Sequence, residues 1–289
     1  ILPQALKTTE LVGGNGLVEM GTQMAILIGM VVGNTLMLIA GVGSHLSAAL
    51  TIGVAVIGYT ASRFIPPAPA TAPQLVFNWN PFTETVRVLR ITREDRAVFN
   101  AVLGISWFWF FGTVLVAQLP LYTRDNLGGD GTVNTLVLTL FSIGTGVGAL
   151  MCEKMSGKRV EIGLVPLGAF GLTAFGVDLF FARSGSAAVR GLDWLAFLHG
   201  AGSWRIVLDL TFIGMFAGFY VVPLFAFVQS RTPRDRVSRV IAGNNILNAL
   251  LIVIASCFGL ALNSWGFSAP KIFLVASLLN VVVAVYIFT

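Results

Sequence analysis

The feature that most restricts how this chain can fold is a series of apolar runs, each close to the roughly 20 residues that cross a bilayer as a helix. One of them, "NALLIVIASCFGLAL", shows no alternation of polar and apolar residues. A transmembrane β-barrel needs short strands that alternate, so the runs are read as helices. Only 11% of residues are charged and 56% are hydrophobic, against roughly 25% charged in an ordinary soluble domain. A soluble globular fold is therefore excluded, and the fold class is an all-α, polytopic membrane helix bundle.

A membrane-length window finds eight spans, near Asn15 to Ile39, Leu46 to Ile65, Val98 to Tyr122, Val133 to Cys152, Ile162 to Ala182, Ile206 to Gln229, Val237 to Leu262 and Lys271 to the end. The long polar stretch after the second span opens on prolines and continues with arginines beside apolar residues. It predicts a linker followed by a surface helix over 66–97, dividing the chain into a two-span part (1–65) and a six-span part (98–289). With the amino terminus cytoplasmic, 13 of the 18 basic residues fall on inside loops and 5 outside, which supports that orientation. The chain opens "ILPQALK" without Met and closes inside an apolar run, so an excerpt of a longer polypeptide is expected.

Several chemistries find no support. Cys152 and Cys257 both lie in apolar runs and read as packing residues. His45 and His199 have no ligand-spaced neighbours, so no metal site or other cofactor is expected. The net charge of +5 comes from short loops that set topology, so no nucleic-acid partner is expected. No catalytic constellation is legible, and the chain is not read as an enzyme. The 32 glycines are scattered through the apolar runs, as expected where helices pack backbone to backbone in lipid.

Polar residues inside the spans carry the functional signal. A carboxylate such as Glu19 in hydrocarbon costs several kcal/mol unless it meets a polar cavity or a partner. Asn15, Glu19 and Gln23 recur at i, i+4, i+8 and share one helical stripe, which must face protein or water. Three readings stay open for it: a hydrogen-bonded helix contact, a substrate or ion contact, and the cytoplasmic interface. Arg205 and Asp209, also four apart, are expected to pair near the outer surface, and Asp178 at the outer end of the fifth span reads as an interfacial acid. "GNGLVEMG" (14–21) aligns with "GNNILNAL" (243–250), matching Gly14 with Gly243, Asn15 with Asn244 and Glu19 with Asn248. Asn244, Asn245 and Asn248 serve equally well as packing amides or as ligands for a phosphate or glycerol oxygen.

The two matched spans are first and seventh among eight, as the fifth and eleventh helices of a doubled six-helix protein are ordered. That arrangement, joined by a long cytoplasmic loop, resembles the major facilitator superfamily, with about 8 of its 12 helices present. "GALMCEKMSGKR" (148–159) resembles that superfamily's cytoplasmic loop signature, with Glu153 and Lys154 as acid and base and Lys158 and Arg159 as trailing bases. It lacks the usual Asp and has Ser156 where Gly is common. The blocks "ILPQALKTTELVGGNGLVEMGT", "GISWFWFFGTVLVAQLPLYTRDNLGGDGTVNTLVL", "CEKMSGKRVEIGLVP", "IGMFAGFYVVPLFAFVQSR" and "RVIAGNNILNA" are similar to the lysophospholipid transporter family. In particular they resemble the transporter portion of bacterial fusions that append an acyltransferase and an acyl carrier protein ligase.

The resemblance implies a multi-pass protein of the bacterial inner membrane, moving lysophospholipid toward the cytoplasm for reacylation by alternating access. It implies membrane lipids as surroundings and an acyltransferase or acyl-ACP ligase as a partner or fused domain. By their place in the superfamily's bundle, Glu19 stands where the two halves meet, as a latch or a substrate contact, and the third span lines the central cavity. There Trp109, Thr113 and Gln118 are candidate contacts, with Trp107 and Phe110 available for acyl-chain contact, lipid-facing anchoring or ordinary packing. Tyr220 is a candidate for reaching a polar head group, and Pro223 for bending its helix. Two alternatives remain: an exporter of drug-like amphipathic compounds, and a non-transporting membrane anchor for an acyltransferase.

Overall fold

The computed structural model describes residues 2–37, 39, 41–65, 78–157, 160–182 and 190–288. Among the described residues the chain is helical, with α1 (Leu2–Ala5), α2 (Leu11–Met37), α3 (Gly43–Ser62), α4 (Pro81–Thr92), α5 (Arg96–Tyr122), α6 (Gly131–Met155), α7 (Leu164–Phe181), α8 (Trp194–His199), α9 (Ser203–Arg231), α10 (Val237–Ser264) and α11 (Ala269–Phe288). Eight of these, α2, α3, α5, α6, α7, α9, α10 and α11, are long and apolar enough to cross a membrane. Each coincides with one of the eight spans expected from hydropathy.

Polar caps mark where the helices start. Asp95 accepts hydrogen bonds from the backbone nitrogens of Ala97 and Val98 at the start of α5, and Asp130 does the same for Thr132 and Val133 at the start of α6. Asn80 caps α4, with Pro81 at the first helical position where its missing N–H is no loss. The last turn of α5 widens into a π-helical turn over Thr123–Leu127, and Gly128 ends it at φ 68°, a left-handed conformation that glycine adopts without strain.

α9 is the hub, packed on α2, α5, α6 and α7. Its seam with α6 is made by two reciprocal small-residue motifs, Gly144 and Gly148 on α6 and Gly214 and Gly218 on α9. A Cβ on any of the four would lie 2.0–2.5 Å from backbone of the facing helix, so the two backbones touch directly. α5 packs on α10 and α11, and α11 on α7. Trp107 donates from Nε1 to Asn280 Oδ1 at 2.8 Å, and Asn280 donates to Ala169 O and Thr173 Oγ1 at 2.9 and 3.0 Å. This buried node ties α5, α7 and α11 together, so Trp107 is a packing residue and does not face lipid. Cys152 is likewise buried, against Gly218 O, while Cys257 is exposed on α10.

The segment 66–97 contains α4, with 66–77 outside the described residues. α4 is bound to the bundle through Val88 and Thr92, which meet Gly243 on α10. Two ion pairs reinforce this end: Arg231 with Asp95 at 2.8 Å, and Arg236 with Glu94. Arg231 beside Asp95 holds that carboxyl below the usual aspartate range, although both groups remain half exposed. The sequence match of Gly14 with Gly243 has a structural counterpart, since Leu6, just after α1, crosses Gly14 as Thr92 crosses Gly243.

The Arg205 pairing differs from expectation. Arg205 does not bond Asp209 on its own helix but reaches across to Asp178 on α7, with Nε to Oδ2 at 2.9 Å. The guanidinium's planar fork matches a carboxylate presented edge-on by a neighbouring helix, which an i, i+4 neighbour on the same helix does not provide.

Candidate functional site

A cavity of about 600 Å³ opens between α2 on one side and α9 and α10 on the other, with Trp109 of α5 in its wall. That volume is in the range of sites for organic ligands. Its wall is mostly apolar, from Val18, Phe225, Val237 and Ile241, and it carries one acid, Glu19, and one base, Arg234. The cavity thus suits a molecule with a polar head and an apolar body.

The polar stripe of α2 divides its work between residues. Asn15, Glu19 and Gln23 are all buried. Asn15 Nδ2 donates to Gln229 Oε1 and Gln229 Nε2 donates back to Asn15 Oδ1, both at 2.9 Å. This reciprocal amide pair bolts α2 to α9 without burying charge. Glu19 accepts from Gln23 Nε2 at 2.9 Å and faces the cavity. Gln23 therefore orients the carboxylate from one turn farther along the helix.

The face of α2 turned to α6 is glycine-lined. A Cβ on Gly16 would lie 2.7 Å from Ala149 O, and one on Gly13 would lie 2.7 Å from the Glu153 carboxyl. Glu153 stands against the first turn of α2, where unpaired N–H groups and the helix dipole favour a negative charge. Lys154 is exposed one residue on. Lys158 and Arg159, the trailing bases of the loop motif, lie outside the described residues.

Behind the cavity wall, α5 and α10 share an amide cluster. Ser106 Oγ lies 2.8 Å from the Asn248 amide. With the Asn248 carbonyl turned toward its donors, it accepts from Trp109 Nε1 at 3.3 Å and Asn244 Nδ2 at 3.0 Å, while its NH2 goes to Ser106 and Asn244 O. Trp109 is thereby fixed between this cluster and the cavity. Asn244 and Asn248 are buried in helix packing, whereas Asn245 is exposed on α10.

The remaining candidates lie away from the cavity. Thr113 is half-buried on α5. Gln118 is buried, with its Nε2 3.3 Å from where a Cβ on Gly259 would stand and its Oε1 without a partner among the described residues. Tyr220 is fully buried between α9 and α5, its hydroxyl near Gly104. Among the polar cavity residues, Gln4, Thr22, Gln229, Arg234 and Ser238 were not singled out from the sequence. Gln229 had a visible signal, as the one amide inside "PLFAFVQSR"; Arg234 is one arginine among several in a loop.

The sequence profile of the Major Facilitator Superfamily matches residues 1–256. Among curated proteins, the chain is similar to the lysophospholipid transporter LplT of Enterobacter sp. (strain 638), 29% identical over 237 residues that make up 80% of this chain and 53% of that protein. The LplT of Cronobacter sakazakii is 28% identical over 274 residues, covering 90% of this chain and 61% of that protein. The LplT of Serratia proteamaculans is 29% identical over 238 residues, covering 80% and 53%. The chain thus spans between about half and three-fifths of the length of these relatives. No solved structure matches it.

Proposed function

Because the chain belongs to the major facilitator superfamily, we propose that the protein containing it is a secondary transporter that moves lysophospholipids across the bacterial inner membrane toward the cytoplasm. The observation that carries this reading is the cavity, with Glu19 and Arg234 as its charged groups among neutral polar side chains (Asn15, Thr22, Gln229 and Ser238) and an apolar side of Val18, Phe225, Val237 and Ile241. A lysophospholipid offers a polar head for those two groups and one acyl chain for the apolar side. The names of the relatives support the same substrate class. The imported lipid would be reacylated by an acyltransferase or acyl-ACP ligase, as a partner or a fused domain.

In this reading α2 and α3 are the fifth and sixth helices of the twelve, and α5, α6, α7, α9, α10 and α11 are the seventh to twelfth, joined by the linker 66–97. α2 then belongs to one half and α9 and α6 to the other. The Asn15–Gln229 pair and the Glu153 contact with α2 become latches that hold the halves together in one state and part in the other. Glu19 contacts the head group, while Asn244, Asn248 and Ser106 set the position of Trp109. Thr113, Gln118, Tyr220 and Asn245 keep supporting places outside the cavity of this state.

The test is uptake of a labelled lysophospholipid by spheroplasts making the full-length protein, beside Glu19→Gln and Arg234→Gln. Uptake by the parent that drops at least tenfold in both variants is expected. A well-folded parent with no uptake refutes lipid import; efflux of drug-like amphiphiles by the same cells would then replace it with export.

A further inference from the structure

The end of the α7–α9 seam remote from the cavity holds a cluster that the cavity does not use. Arg205, in the first turn of α9, grips Asp178 with two hydrogen bonds, Nε to Oδ2 at 2.9 Å and Nη2 to Oδ1 at 2.5 Å. One turn along α9, Asp209 is only 2% exposed, and its Oδ2 has no partner among the described residues. Its carboxyl lies within hydrogen-bonding reach of Asp178. Tyr122, at the end of α5, is fully buried with its hydroxyl unpartnered among the described residues, within electrostatic range of Asp209.

The charges here do not balance. Both oxygens of Asp178 already accept from Arg205, whose charge also reaches Asp209, so among the described residues one guanidinium serves two carboxyls. Two ionised carboxylates in contact repel, and neither oxygen can donate, so a hydrogen bond between them requires a proton. Of the other elements packed on α9, α6 has no titratable group from Gly131 to Met151, α8 contributes only the exposed His199, and Glu19 of α2 lies at the cavity. On the neighbouring turn, Arg124 and Asp125 satisfy each other.

We propose that Asp178 and Asp209 hold one proton between them, which makes the α7–α9 seam a proton-binding site. Asp209 donates its O–H to Asp178, Asp178 accepts from Arg205, and the two acids, one base and one proton sum to zero charge. A metal cation fits less well, since hard cations take about six or more oxygen ligands. Asp209 Oδ2 and the Tyr122 hydroxyl are buried and unpartnered among the described residues, and even with the other unpartnered oxygens at this end of the bundle, those of Thr123, Asn134 and Ser203, the donors are neutral apart from the two carboxyls. Loss of the proton sets two carboxylates against each other across the seam and favours parting α7 from α9 at this end. Asp178 and Arg205 are about half exposed, so the pair has a route for protons from that side of the membrane. The inference does not depend on what the cavity carries.

The test is infrared titration of the purified full-length protein in lipid nanodiscs, in a Glu19→Gln background that removes the cavity acid. A protonated-carboxyl band is expected at neutral pH that shifts when the aspartate carboxyl carbon is isotopically labelled and bleaches as pH rises. It should be unchanged when sodium replaces a bulky organic cation at fixed pH, and lost in Asp209→Asn. Where Asp209→Asn fails to fold, Asp178→Asn serves, since it frees Arg205 to neutralise Asp209 and so removes the same band. A band that survives in the folded variant, or no labelled band in the unmutated protein, overturns the proposal. Bleaching by sodium at fixed pH overturns it in favour of a cation site.

Discussion

Replacing Gly148 with alanine tests the direct backbone contact between α6 and α9. The new Cβ would stand 2.0 Å from Met215 O and 2.8 Å from its carbonyl carbon, where ordinary contact begins at 3.4 Å. The two helices must therefore part locally by about 1.4 Å, in a seam as tightly packed as an organic crystal. Overpacking of a well-packed interior costs about 1–3 kcal/mol. The obstacle is backbone, which cannot rotate aside as a side chain can, so the upper end applies. Alanine recovers about 1 kcal/mol of helix propensity. The net loss is about 2 kcal/mol, a change of up to about 30-fold in the folded-to-unfolded ratio. Equilibrium unfolding in mixed detergent micelles reads this directly, with Gly112→Ala as control because nothing lies within 4 Å of its Cβ position. If Gly148→Ala is as stable as the Gly112→Ala control, the glycine seam is looser than described and α9 is not held at its centre in this way.

Three further outcomes follow from single contacts. In a double-mutant cycle of Asn15→Leu and Gln229→Leu, the reciprocal amide pair should give a coupling energy of about 0.6–1.7 kcal/mol in unfolding, while Gln23→Leu paired with Gln229→Leu shows none. Asp95→Ala removes both the α5 cap and the Arg231 partner and should cost about 1 kcal/mol, whereas Asp95→Asn keeps the cap and costs only a small, salt-sensitive part. The Asp95 carboxyl is held below its ordinary value of 3.8, mainly by Arg231. Its contribution is accordingly present above that pH and lost on acidification below it, so a stability titration of the unmutated protein should converge on Asp95→Asn only at the acid end. Glu153→Gln removes the charge from the first turn of α2 and should shift cysteine-accessibility labelling at Asn15→Cys upward if that contact helps to close α2 on α6; unchanged labelling would reduce Glu153 to a packing residue.

How far the sequence could be read depended on whether a property was local. Span number and position followed from length and hydropathy, because the bilayer sets both, and α2 starts at Leu11 only a turn ahead of the expected Asn15. Gly13, Gly14 and Gly16 look like helix breakers in isolation; they are helical because Glu153, Leu6 and Ala149 occupy the space their missing side chains leave. The stripe of Asn15, Glu19 and Gln23 was legible, since period 3.6 puts them together whatever they face. Its division was not, because Gln229 lies 214 residues away and only the crossing of α2 over α9 brings it to Asn15. The same reason explains Arg205: spacing offered Asp209, but the stronger fork was available across the seam at Asp178. The rejected partner is then the informative one. Asp209 stays buried because its neighbour is already neutralised, and a buried acid whose obvious base has gone elsewhere must keep a proton or lose its place in the fold.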